Sequence, residues 1–393
     1  YNLYTFHSSI LTLSIKWLSK LSNIPSPIES FKEAIGAKEA NSMRVFEIND
    51  IIKRLTVISR KNIAFSKIPS EEAIAVFNSA IAVFENYVYL YPRVILGYYL
   101  YVSAIAEVKI PLVDVLENDV LDKKYKARIV VSPDNRYDIW GTEDPRVYML
   151  DGKLAMTYTG RTKYYFDSKI PTQKTFPMTA FRKELPGKKA SGENLWEKKY
   201  VHVPDNSMRL NLVSDKDAFL YRPSPNSDLL LFHRPHLVGD KFYTLISKVT
   251  RYDEGSNGIQ EAVHGESVAV MEPAKHEIKI GWSTPPIRLN DKEIIALLHG
   301  VDSDIEVYRL FAIHLEINKN DVVVKAVTPR YIMSPKEDYE IFGDRPHTVF
   351  PCGLWKLSKE EYLISYGAGD YFTGIGLINL NDLLAELDKG RIY

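Results

Sequence analysis

The sequence has no net charge: 50 Lys and Arg are set against 50 Asp and Glu over 393 residues. A nucleic-acid-binding protein normally carries a basic field that displaces counterions from phosphates, so that class is excluded. Cysteine is nearly absent. Cys352 stands alone, which rules out an intrachain disulfide framework and leads to the expectation of a cytosolic setting. Long apolar runs are missing too. The longest, Val94–Ala106, is closed by Arg93 and Glu107 and is shorter than the roughly 20 residues needed to cross a bilayer. The segment Tyr1–Ile24 places Ile10, Leu13, Trp17 and Leu21 at helical spacing, but Lys16 and Lys20 interrupt it. No small-residue cleavage site follows, so it reads as a poor signal peptide.

Aromatic residues, by contrast, are plentiful: 25 Tyr, 16 Phe and 5 Trp. Such a composition leans towards sheet. Two regimes divide the chain. Residues 1–60 read as a helical N-terminal extension, with a second helix over Phe31–Leu55 that Ser30 could cap. Residues 61–393 read as short strands and turns, closed by a short C-terminal helix over Asn381–Leu387 with Gly390 as its stop.

The strand region repeats. Ala80–Arg93, Val147–Arg161, Tyr221–Arg234, Ile287–His299 and Gly353–Tyr366 each read as strand, polar turn, strand. Their last residues lie 68, 73, 65 and 67 positions apart. Five units at near-constant spacing predict an all-β, five-bladed β-propeller, the closed architecture built by radial repetition. In such a ring, equivalent strand ends converge, which would bring Arg93, Arg161, Arg234, His299 and Tyr366 towards one polar pocket.

Several stretches carry chemistry. In Gly141–Arg146, two adjacent carboxylates precede a proline, which biases Asp144 towards an extended backbone. Strand neighbours point to opposite faces, so Glu143 and Asp144 cannot serve one ligand unless a bulge intervenes. In Phe232–His236, two histidines and an arginine suit anion or sugar recognition. A metal site is not expected there, because no carboxylate or cysteine stands nearby in sequence and the other histidines are dispersed. The glycines of Tyr366–Gly374 lack the lysine of a phosphate loop and read as a strand end presenting Asp370. There is no GxSxG elbow, and Cys352 has no activating base beside it, which argues against a nucleophilic serine or cysteine.

In chain order, Phe77–Val94, Gly141–Gly160, Ser214–Pro223, Leu229–Pro235, Gly281–Leu289, Leu297–Val301, Thr348–Gly353 and Ser365–Leu384 together resemble glycoside hydrolase family 130, the β-mannoside phosphorylases and related β-mannosidases. The resemblance spans roughly residues 60–390 and implies the same five-bladed fold. It implies an inverting glycoside phosphorylase that cleaves a β-mannosidic bond with inorganic phosphate, giving α-mannose 1-phosphate. Asp144 would be the general acid, working through the sugar 3-hydroxyl. Asn78, Arg93 and Asp370 match sugar-binding positions, with Glu143, Arg234 and His299 as further substrate contacts. Lys216 and His233 match phosphate positions, and Arg161 or Lys163 would supply the remaining cation. No cofactor or metal is implied; the small-molecule partners are a carbohydrate and phosphate, with neither nucleic acid nor membrane. Phosphate is already a nucleophile, so one carboxylic acid suffices, whereas an inverting hydrolase needs a second carboxylate to activate water.

The sequence departs from the family in three places. Tyr164–Lys199 is longer and more basic than usual, with Arg182 as a candidate phosphate ligand. Gly160–Arg161 replaces a small residue and an aromatic. The extension 1–60 exceeds what a propeller needs and is expected to cover a blade or form a homo-oligomer contact. Two alternatives stay open: an inverting β-mannosidase of the same fold with Glu143 or another carboxylate as base, and a non-catalytic sugar-binding propeller. The linkage, β-1,2 or β-1,4, and the acceptor sugar also stay open.

Overall fold

A computed structural model describes residues 31–65, 72–97, 102–163, 172–188 and 195–393. Tyr1–Ile24, Ser30 and Tyr164–Pro171 of the sequence reading lie outside the described residues.

Five antiparallel units of four strands follow one another. Strand β1 (Lys53–Ile58) comes first but belongs to the last unit. Blade one is β2 (Ala75–Phe84), β3 (Tyr87–Ile95), β4 (Ser103–Pro111) and β5 (Tyr125–Val131). Blade two is β6 (Thr142–Leu150), β7 (Lys153–Arg161), β8 (Thr175–Arg182) and β9 (Trp196–Pro204). Blade three is β10 (Leu212–Tyr221), β11 (Leu230–Leu237), β12 (Thr244–Asp253) and β13 (Gln260–Met271). Blade four is β14 (Glu277–Trp282), β15 (Glu293–Asp302), β16 (Tyr308–Ile317) and β17 (Val322–Val327). Blade five is β18 (Val349–Lys356), β19 (Glu361–Ala368) and β20 (Phe372–Asn379), and β1 pairs with β20 to complete it.

The first strands of the blades meet around one axis. β2 touches β6 and β18, β6 touches β10, and β10 touches β14; β18 reaches blade four through β16. The ring is therefore closed, and the fold is a five-bladed β-propeller. Each sheet buries both faces against its neighbours, so central strands are apolar throughout, as in Ile294–Leu298. Aromatic side chains fill the wedges. Phe219, Phe232, Trp282 and Phe311 pack between blades three and four, with the rings of Phe219 and Phe232 stacked 4.8 Å apart. The long continuation of blade two is not an appendage, because Thr175–Arg182 and Trp196–Pro204 are its third and fourth strands. At the outer rim, β9 pairs in parallel with β13 and joins blades two and three into one sheet.

The expected helix over Phe31–Leu55 is corrected. Only α1 (Ala37–Met43) is helical, and Lys53–Ile58 is a strand, so a boundary at residue 60 cuts through blade five. Ile52, Leu55 and Ile58 fit a helical period, but Leu55–Ile58 is rich in β-branched residues and finds a sheet edge to pair with. Between α1 and β1 the chain lies along blade four, where Arg44 forms a buried bidentate pair with Glu277 at 2.6 and 2.8 Å. The C-terminal helix α2 (Leu380–Asp388) is where the sequence placed it. Asn379 caps it, accepting from the Asn381 amide at 2.8 Å.

Candidate active site

Three inner strands share one device. The ladders of β2, β6 and β10 slip after Phe77, Glu143 and Lys216, and the next residue is Asn78, Asp144 or Asp217. These three have φ of 47°, 50° and 54°. Asn and Asp tolerate the left-handed region better than other side chains, and a bulge turns adjacent side chains towards one face. The extended backbone expected at Asp144 is thus corrected: the bulge overrides the bias from Pro145. The intervening bulge that the sequence required is present, and Glu143 and Asp144 both face Arg93.

Arg93 donates from Nη2 to Glu143 Oε1 at 2.8 Å and from Nη1 to Asp144 Oδ1 at 3.3 Å. Asn78 Nδ2 donates to the same Asp144 oxygen at 2.8 Å, while Asp144 Oδ2 has no hydrogen-bond partner among the described residues. Glu143 also accepts from Arg161 Nη1 at 3.2 Å and from Lys216 Nζ at 3.3 Å. Burial would raise its carboxyl, but Arg93, Lys216 and Arg161 outweigh that and hold it at about 2. Asp370 sits in the β19–β20 turn with φ 50°, after Gly369 at 59°. Burial and then the charge of Asp144 push its carboxyl up to about 6. Gly367 admits Asn78 to this cluster, since a Cβ there would lie 1.7 Å from Asn78 Oδ1.

A second buried carboxylate, Asp217, anchors the other side. Arg234 Nε donates to it, Arg146 Nη2 lies at 3.4 Å and His299 Nε2 at 3.6 Å. Burial opposes ionisation, yet Arg234, His299 and Arg146 keep this carboxyl well below the usual range. Lys279 points to the same region, half-buried and without an ion pair among the described residues. Burial first, then Arg234 and Arg345, lower its ammonium to about 8. Its Nζ lies 5.5 Å from the centre of the Tyr308 ring, and the Arg345 guanidinium lies 4.5 Å from the same ring. Four cations, Lys216, Arg234, Lys279 and Arg345, therefore gather where the wall is otherwise aromatic and acidic.

Asn78, Arg93, Glu143, Asp144, Arg161, Lys216 and Asp370 come together as one cluster, and Arg234 and His299 join it through Asp217. Other expectations are corrected. His233 does not reach the pocket: it is fully buried, with Nδ1 on Asp215 and Nε2 on Ser247, each at 2.7 Å. Of the pair Arg161 or Lys163, Arg161 takes Glu143, and Lys163 makes no ion pair among the described residues. Arg182 pairs with Glu107 of blade one rather than lining the pocket. Tyr366 turns away from the ring of strand ends, and its hydroxyl donates to Glu340 at 2.7 Å. Nor are the histidines as dispersed as the sequence suggested, since Asp215 and His264 lie beside His233.

Sequence reasoning missed Asp217, Lys279 and Arg345. A signal for Asp217 existed: Ser214–Asp217 repeats the Asn78 and Asp144 pattern of an Asx inside an inner strand. Lys279 and Arg345 had none, because their pocket neighbours, Tyr308 and Arg234 among them, lie tens of residues away in the sequence. Cys352 is buried and burial pushes its thiol up, in keeping with no nucleophilic role. A cavity of about 610 Å³ lies at the other end of the inner strands, lined by Tyr148, Tyr221, Arg288 and Trp355 among others. It holds none of the buried carboxylates described above and is separate from the Asp144 cluster.

The model of a family described as beta-1,4-mannooligosaccharide phosphorylase matches residues 42–389. A beta-1,2-mannobiose phosphorylase of a Thermoanaerobacter species is 27% identical over 337 residues, covering 83% of this chain and 97% of that protein. A 1,2-beta-oligomannan phosphorylase of the same organism is 24% identical over 340 residues, covering 84% and 99%. Among solved structures, a beta-1,2-mannobiose phosphorylase from Listeria innocua superposes with a TM-score of 0.59 at 15% identity, covering 87% of this chain and 98% of that one. A mannose phosphorylase from Leishmania mexicana in complex with phosphate gives 0.51 at 14% identity, covering 84% and 89%. With the matched region spanning all five blades, the chain belongs to glycoside hydrolase family 130, the family of β-mannoside phosphorylases.

Proposed function

We propose that this enzyme is an inverting phosphorylase that cleaves a β-1,2-mannosidic bond with inorganic phosphate. A phosphate oxygen attacks the anomeric carbon as the glycosidic C–O bond breaks. The proton held by Asp144 passes through the sugar 3-hydroxyl to the leaving oxygen, and α-mannose 1-phosphate and the freed acceptor sugar result. Asn78 and Arg93 hold Asp144 Oδ1, which leaves Oδ2 to carry that proton. Arg93 and Asp370 bind the mannosyl hydroxyls. Lys216, Arg234, Lys279 and Arg345 hold the phosphate and offset its charge as the transition state forms.

The observation that carries this reading is the unequal state of the carboxylates. Glu143 is held by three cations and Asp217 by two arginines and a histidine, so neither is placed to activate water. An inverting hydrolase requires such a base. Both curated relatives are named for β-1,2 linkages, which supports that linkage as the first to test.

The test is β-1,2-mannobiose with and without phosphate. We expect α-mannose 1-phosphate only when phosphate is present, and Lys279→Ala should raise the KM for phosphate far more than that for the sugar. Free mannose released at the same rate without phosphate would overturn the reading in favour of a hydrolase.

A further inference from the structure

Away from the active site, the described residues hold a group of buried polar atoms that the mechanism leaves unused. Asp215 on β10, His233 on β11 and His264 on β13 are fully buried, and each offers a ligand atom within 4.8 Å of the others. Asp215 Oδ1 and both ring nitrogens of His264 have no hydrogen-bond partner, and neither has Nδ1 of His202 across the seam on β9. Unpaired buried polar atoms are costly, and those of Asp215 and His264, gathered beside His233, call for a common partner.

We propose that Asp215, His233 and His264 hold a structural divalent transition-metal ion, zinc by the character of its donors. Two imidazoles and a carboxylate are the borderline donors zinc prefers, whereas magnesium or calcium would want oxygen. The His233 and His264 rings meet edge to face, with centroids 4.6 Å apart. Hydroxyls orient His233 among the donors: Ser247 bonds His233 and Ser267, each at 2.7 Å.

Tetrahedral zinc would draw the ligand atoms to about 3.4 Å from one another. The rings must therefore close in, and the His233–Asp215 hydrogen bond gives way to metal bonds. The ion would tie three of the four strands of blade three where its outer strand meets blade two. It would also fix Asp215 directly before Lys216 and Asp217 of the active site.

The experiment uses the full chain without a histidine tag, produced in zinc-supplemented medium and freed of loose metal by gel filtration. Elemental analysis should find close to one equivalent of zinc. Cobalt replacement should show the intense visible bands of a tetrahedral site, and chelation should lower the melting midpoint. His264→Ala should lose the metal and the chelator effect together. If that variant does not fold, the metal content and cobalt spectrum of the wild-type chain still decide. Background metal and no cobalt bands, both as isolated and after refolding with the ion, would overturn the proposal and leave internal water as the partner.

Discussion

Asp370 shows how one side chain can be read for its charge and its consequences. Its carboxyl is raised to about 6 by burial and by Asp144, against an ordinary value of 3.8. The folded chain therefore binds this proton more tightly than the unfolded one. The stability this adds is complete below about pH 3.8 and is lost as pH rises through about 6. Unfolding by urea at a series of pH values should show the fall, and Asp370→Asn should flatten it across that window. An unchanged slope in the variant would place the effect elsewhere. The residue types at Asp144, Asn78 and Arg93 were legible from sequence motifs. The state of Glu143 was not, because it is held by Arg93, Arg161 and Lys216 from three different strands, one in each of blades one to three.

At the scale of the strand, the recurring bulge matters more than any single ligand. It puts Glu143 and Asp144 on one side although they are neighbours, and it depends on residues that accept a left-handed backbone. Asn78 tests this, since both Asn78→Gly and Asn78→Ala remove the amide that holds Asp144. In an ordinary strand the glycine variant would be the less stable. At a φ of 47° the order should reverse, with alanine the less stable by about 1 kcal/mol in urea unfolding. The period of these strands was visible as five repeats. The bulges were not, because a one-residue slip leaves the apolar pattern on both sides intact.

The whole molecule is a ring closed by its first blade strand. β1 supplies the outer edge of blade five, and Arg54 on it pairs with Glu340, whose side chain is fully buried. A chain starting at Arg60 would leave β20 as an open edge, and we expect it to be recovered largely insoluble. Arg54→Ala keeps the strand but strands a buried charge, and should cost about 3–5 kcal/mol in unfolding free energy. A truncated chain as stable as the full one would refute the closure. The zero net charge fits this picture: Lys216, Arg234, Lys279 and Arg345 form one local cationic cluster within a chain whose charges balance overall.

By itself, the sequence determined the all-β class, the five-fold repeat, the final helix and the motifs that hold Asn78, Arg93, Glu143, Asp144 and Asp370. These are local: propensity, period and turn chemistry act within a few residues. Tertiary structure alone decided that Lys53–Ile58 is a strand, that His233 serves Asp215 rather than the pocket, and that Lys279 lies near Arg234 with Lys279 and Arg345 both against the ring of Tyr308. Each depends on contacts that no local pattern shows: Lys53–Ile58 meets β20 only because the ring closes, His233 meets Asp215 across the β10–β11 ladder, and Lys279 meets Arg234 across neighbouring blades.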